Sequence, residues 1–184
     1  MIEVWAPRAA KIALRRPGHD DLPLTAGADG HWAADVELAA GEEYGFVLGD
    51  ADVARPDPRS RRQPSGVHGL SAAFDATAFA WTDSLWTGRQ LAGGLIYELH
   101  IGTFSPEGTL DGAIARLDHL VALGVTHVEL LPVNGFNGEW NWGYDGVLWY
   151  TVHEAYGGPA AYQRFVDAAH GRGLAVIQDV VYNH

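Results

Sequence analysis

Cysteine is absent from the 184 residues, which excludes disulfides and thiolate metal sites. Positive charge is scarce: 12 Lys and Arg stand against 23 Asp and Glu, for a net charge of −11. Nucleic acid and anionic membrane surfaces both select a basic face, so neither is an expected partner. The acidic balance reads first as solubility. No hydrophobic run approaches the ~18 residues of a membrane span. The N-terminal "MIEVWAPRAAKIALRRPGHD" lacks the apolar core of a secretion signal, and the expectation is a soluble cytoplasmic protein. Metal and nucleotide motifs are missing too. "HEAYG" has no second histidine for a zinc-binding H-E-x-x-H, and no phosphate-cradling glycine fingerprint follows a strand-like run. Asp179 and His184 have no evident third ligand, so neither a metal nor a cofactor is expected.

What is present is a globular composition, 47% hydrophobic, in two halves of different rhythm. The first half alternates with period two. Trp32, Ala34, Val36 and Leu38 interleave with polar or small residues, as do Ile12 and Leu14, and then Tyr44, Phe46 and Leu48. Short strands punctuated by Gly and Pro predict an antiparallel β-sandwich over roughly residues 1 to 75. "RPDPRSRRQPSGVHGLS", Arg55 to Ser71, is too rich in proline and glycine for a regular element and reads as a connection.

From Leu95 the period changes. "LIYELHI" reads as a strand, and "TLDGAIARLDHLVALG" as a helix capped by Thr109 and closed by Gly124. "VTHVELL" (125–131) is the next strand, a helix starts at Gly158-Pro159, and "LAVIQDVVY" is the third strand. Strand–helix–strand–helix–strand predicts parallel pairing with right-handed crossovers.

Two features fall at the C-terminal ends of these strands, where parallel α/β architectures place their sites. One is a connection of 27 residues, Pro132 through Gly158, far beyond the ~2–6 usual for such loops. It holds Phe136, Trp140, Trp142, Tyr144, Trp149, Tyr150 and Tyr156. Aromatic faces with polar rims suit sugar rings, although aromatics in a long loop also serve simply to pack it. The other is "QDVVYNH". On a strand Asp179 and Asn183 share a face, and a carboxylate there marks either a site or a structural Asp held by backbone amides or an arginine.

These residues resemble the α-amylase superfamily, glycoside hydrolase family 13. The D-x-x-x-N-H signature at the end of barrel strand three matches as Asp179, Asn183 and His184. "GVTHVELLP" resembles the segment around strand two, and "WGYDG", with Trp142, Tyr144 and Asp145, the loop whose tyrosine underlies the sugar being cleaved. The longer stretches "IYELHIGTFSPEGTLDGAIARLDHLVALGVTHVELLPV" and "WGYDGVLWYTVHEAYGGP" are similar to the subfamily of maltooligosyltrehalose trehalohydrolases, with Gln178 and Trp149 departing from the aliphatic or smaller residues expected there. The resemblance implies an immunoglobulin-like, carbohydrate-binding-module-like β-sandwich over 1–85. The first three βα units of a TIM (β/α)8 barrel would follow over 86–184, the chain being truncated after strand three. It implies a retaining glycosidase that acts on maltooligosyltrehalose and releases trehalose. Its nucleophile, acid/base and third carboxylate would lie beyond His184, leaving this fragment inactive alone. The substrate-binding residues implied are Tyr144, His184, Asp179, Asn183, Trp142 and Asp145. A branching or debranching enzyme of the same superfamily, or a non-catalytic sugar-binding module, stays open.

Overall fold

Alternating apolar residues build two antiparallel sheets at the start of the chain. A computed structural model describes residues 1–183, and His184 lies outside them. In one sheet β1 (Ile2–Trp5) pairs with β5 (His31–Ala34), which pairs with β4 (Thr25–Ala26). In the other the order is β3 (Leu22–Pro23), β2 (Ile12–Arg15), β6 (Glu43–Leu48) and β7 (Ser71–Ala72). Val4 of the first sheet and Ile12, Leu14, Tyr44 and Phe46 of the second bury into one core. The expected strand through Leu38 ends at Ala34, where the Val36 amide turns back onto the Ala34 carbonyl at 3.0 Å. Val36 and Leu38 still pack against the core. Arg55 to Ser71 contains no helix and reaches a strand only at its end, as its prolines predict. Polar bonds hold it instead: the Tyr44 hydroxyl donates to buried Asp57 at 2.7 Å, and the Asp57 amide donates to Ser71 Oγ at 2.9 Å.

The chain divides into two compact units at Asp75/Ala76, not at the expected 85/86. Polar and aromatic contacts that the composition of this stretch does not announce account for the difference. Within the second unit the Thr82 amide and hydroxyl both donate to Asp167 at 2.7 Å, and Asp83 pairs with His170 at 2.6 Å. Trp86 stacks on His170 with ring centroids 4.4 Å apart. Residues 76 to 86 are therefore strapped to the helix that carries Asp167 and His170.

That unit is built on β8 (Ile96–Leu99), β9 (His127–Leu130) and β10 (Ala175–Gln178), paired in parallel in that order. A short α1 (Ile101–Phe104) follows β8, which the sequence reading had not separated from the strand. Thr109 Oγ1 accepts from the Gly112 amide at 3.1 Å and caps α2 (Leu110–Ile114) as expected. The single helix expected next is two, because the Arg116 amide bonds to Ala113 at 2.9 Å, a tightened i−3 turn that separates α2 from α3 (Leu117–Ala122). Gly124 at φ +82° then reverses the chain, with Val125 donating back to Leu120. α4 (Gly158–His170) carries proline in its first turn.

Leu110, Ala113, Leu117 and Leu120 meet Ala161, Phe165 and Ala169 of α4 over Val128 and Leu130 of β9, and all are fully buried. Alternation then assigns the opposite face of the sheet to His127, Glu129 and their register partners. Among the described residues no helix is long and apolar enough to cross a membrane.

Candidate active site

On the sheet face turned away from the helices, register sets Glu98 beside Glu129, and Glu129 beside Ile177. The regular strand stops at Gln178, but the Asp179 amide still donates to the Leu130 carbonyl at 3.0 Å. Asp179 thus keeps the parity of Ala175 and Ile177 and shares the face of the two glutamates. Three carboxylates line the C-terminal ends of three parallel strands.

Tyr144 reaches them from the long connection. Burial chiefly raises its phenol above the ordinary tyrosine range, and the charges of Asp179, Glu98 and Glu129, with a hydrogen bond to Asp179, act the same way. The hydroxyl is therefore protonated at neutral pH and donates to Asp179. Sequence reasoning had paired Tyr144 with Asp179, and the structure brings them together. It had missed Glu98 and Glu129. The available signal was a glutamate at the third position of both strands, "IYEL" and "HVEL".

The other expected site residues are less gathered. Trp142 is 72% exposed, and Asp145 is exposed, with its carboxylate accepting from Asn141 Nδ2 at 3.2 Å. Asn183 is also exposed, and the strand alternation invoked to align it with Asp179 ends at Gln178. His184 lies outside the described residues.

The connection is long but closely tied. An isolated bridge joins Gly135 to Leu148, and Thr151 Oγ1 accepts from the Gly135 amide at 2.9 Å while donating to Leu148 at 2.8 Å. Its aromatics divide into a buried and an exposed set. Phe136 and Tyr156 are fully buried and pack the loop, whereas Trp140 and Tyr150, like Trp142, are largely exposed. Trp149 meets Tyr182 edge to face at 5.5 Å. Below them His100, at the end of β8, shares the Asn141 carbonyl with the Tyr156 hydroxyl, at 2.7 and 3.3 Å.

His153 supports the loop from beneath, stacked on Phe136 at 3.7 Å. Burial lowers its pKa below the ordinary histidine value, so unfolding takes up a proton in the window below about 6.5 and loop stability falls as pH falls through it. Relative to the intrinsic exchange rate, amide exchange over residues 133–153 is expected to accelerate as pH falls below about 6.5. The acceleration should disappear in His153→Phe. Exchange in the parent with no excess over the intrinsic pH trend would exclude the device.

Chemically, the site offers a phenol ring held beside acceptors on one wall, on a connection that also carries exposed indoles. That suits a neutral polyhydroxylated ligand better than an anion. Among the described residues no group of three or more His, Asp or Glu is placed to hold a metal ion.

Comparison with known proteins agrees with this geometry. The model of the alpha amylase catalytic domain matches residues 59–184. The chain is 60% identical over 98% of its length to the malto-oligosyltrehalose trehalohydrolase of Arthrobacter ramosus, covering 32% of that protein. It is 33% identical over 98% of its length to a 1,4-alpha-glucan branching enzyme from Nitratidesulfovibrio vulgaris, again covering 32% of it. The crystal structure of a Salmonella typhimurium protein described as an alpha amylase superposes with a TM-score of 0.92 at 45% identity, covering 99% of this chain and 31% of that one. The chain thus spans about a third of the length of the curated relatives it matches. With parallel strands that deliver carboxylates and a tyrosine to their C-terminal ends, and a family model that spans more than half the chain, this protein belongs to the alpha-amylase family.

Proposed function

We propose that this chain forms one wall of the sugar subsite of a retaining α-glycosidase that releases trehalose from maltooligosyltrehalose by cutting the adjacent α-1,4 bond. The observation that carries the reading is the Tyr144–Asp179 pair at the strand ends, in a chain 60% identical to a trehalohydrolase. In this reading Tyr144 is the platform under the sugar ring, and Asp179 holds its hydroxyl and adds negative charge beside the reacting carbon. Asn183 and His184 complete the wall toward sugar hydroxyls, and Trp142 and Asp145 border it. The parallel sheet is the first three βα units of an eight-stranded barrel, and the two antiparallel sheets an immunoglobulin-like sandwich. The substrate is a maltooligosaccharide, with neither nucleic acid nor membrane as partner. The branching-enzyme reading is weaker, because identity drops from 60% to 33% over the same share of the chain.

Retaining cleavage needs a carboxylate nucleophile and a carboxylic acid on opposite sides of the bond. The resemblance assigns both to positions beyond His184. The test is therefore a chimaera that continues this chain with the remainder of the Arthrobacter ramosus relative. There Tyr144→Ala should remove the platform and lower kcat/KM roughly ten- to hundredfold with folding intact. Unchanged trehalose release by a well-folded variant would leave Tyr144 a packing residue.

A further inference from the structure

Asp179, one residue past β10, is the last whose amide joins the ladder, and its own carbonyl raises a question of hydrogen-bond accounting. In this parallel pair the odd-numbered residues of β10 donate to β9: Ala175 to the Thr126 carbonyl at 3.0 Å and Asp179 to the Leu130 carbonyl at 3.0 Å. Each such residue in turn accepts from the β9 amide two positions further on. For Asp179 that position is Pro132, which has no N–H. The ladder cannot satisfy this carbonyl.

A side chain does so instead. Gln178 Nε2 donates to the Asp179 carbonyl at 2.7 Å. The other end of the same amide is also held, because the Tyr162 hydroxyl of α4 donates to Gln178 Oε1 at 2.9 Å. Burial raises the Tyr162 phenol to about 12, so this donor stays protonated across the working range. Gln178 occupies a strand position where an aliphatic residue was expected. An amide there, half-buried on the helix side of the sheet, needs a reason.

We propose that Tyr162 and Gln178 are positioning residues for Asp179: the relay from the Tyr162 hydroxyl through the Gln178 amide fixes the Asp179 peptide that Pro132 leaves unpaired, and so aims its carboxylate at Tyr144. The relay matters for turnover only if the proposed glycosidase function holds, but its local effect can be read without activity. Torsional freedom at the Asp179 peptide would swing the carboxylate away from the phenol. Neither relay residue touches the sugar face, so they act through Asp179 alone.

The test uses the chain as it stands, with carbon-13 at the tyrosine phenol carbon and the Tyr144 resonance assigned by its loss in Tyr144→Phe. Asp179→Asn is the control and should move the Tyr144 titration toward the ordinary phenol value. Gln178→Leu restores an aliphatic side chain, and Gln178→Met keeps the length of the side chain but removes both the amide donor and the amide acceptor without adding charge. Both should shift Tyr144 in the same direction as the control, and Tyr162→Phe should do so by a smaller amount. Tyr144 unmoved in Gln178→Leu and Gln178→Met, with the Asp179→Asn shift present, would overturn the relay, whatever happens to thermal stability. Tyr144 unmoved in Asp179→Asn would overturn the coupling on which the relay acts. In the chimaera, Gln178→Leu should lower kcat about tenfold with KM little changed. Loss of the Tyr144 shift with kcat intact would separate failure of the glycosidase reading from failure of the relay.

Discussion

Gly143→Ala is expected to unseat the Tyr144 loop and destabilise the second unit by roughly 2–5 kcal/mol. A Cβ at this position would lie 2.0 Å from the Pro132 carbonyl oxygen, and the residue sits at φ +90°. Backbone strain alone accounts for about 1–2 kcal/mol of the loss, and the collision for the rest, since neither backbone can yield without moving the other. Such movement would break the 2.7 Å bond from the Gly143 amide to Asn141 Oδ1. With it goes the alignment of the Asn141 carbonyl on which His100 and Tyr156 converge. Gly138 supplies the control. It has nearly the same φ, +87°, but an added Cβ there meets nothing within 4 Å, so Gly138→Ala should cost only about 1–2 kcal/mol. Thermal unfolding and the Tyr144 resonance both report the difference. Equal losses in the two variants would show that the approach to Pro132 is not what seats the loop.

Pro132 emerges twice in this site, under Gly143 and opposite the Asp179 carbonyl, and neither role is legible from spacing. Periodicity located the three parallel strands, α4 and the Thr109 cap, because burial of one face imposes its period directly on the residues. It failed where a single hydrogen bond decides. The i−3 bond at Arg116 splits a helix whose apolar stripe continues from Leu110 through Leu120 without interruption. The Val36 turn ends a strand whose alternation runs on to Leu38. Thr82, Asp83 and Trp86 carry no periodic signal at all, because their partners are Asp167 and His170, some 85 positions away. At the site, Asp179 and Tyr144 were foreseen from a resemblance carried by "QDVVYNH" and "WGYDG". Glu98 and Glu129 fall inside stretches that carry the same resemblance, "IYELHIGTF" and "GVTHVELLP", but nothing in it gives either a role. They become visible only when register lays one beside the other.

The carboxylate wall leads to the second large effect. In the chimaera, Asp179→Asn is expected to lower kcat/KM by about a hundredfold while the protein remains folded. Cleavage of a glycosidic bond passes through an oxocarbenium-like state, so positive charge develops on a ring that, in the proposed pose, lies over Tyr144. A single negative charge at roughly 6 Å, at an effective dielectric constant of about 20, stabilises that charge by about 2.8 kcal/mol. Each 1.36 kcal/mol is a factor of ten in rate, which sets the expected loss. The amide keeps the size of the carboxylate and still accepts from the Tyr144 hydroxyl, so the platform keeps its seat and ground-state binding changes little. The loss should therefore fall on kcat and leave KM nearly unchanged. Glu98 and Glu129 lie on the same face, and replacing either by glutamine should produce a smaller loss in the same direction, since each acts from the adjoining strands. An Asp179→Asn chimaera with full kcat would mean that the wall's charge does not reach the reacting carbon. A loss confined to KM would make Asp179 a substrate-holding group, with its charge irrelevant to the transition state.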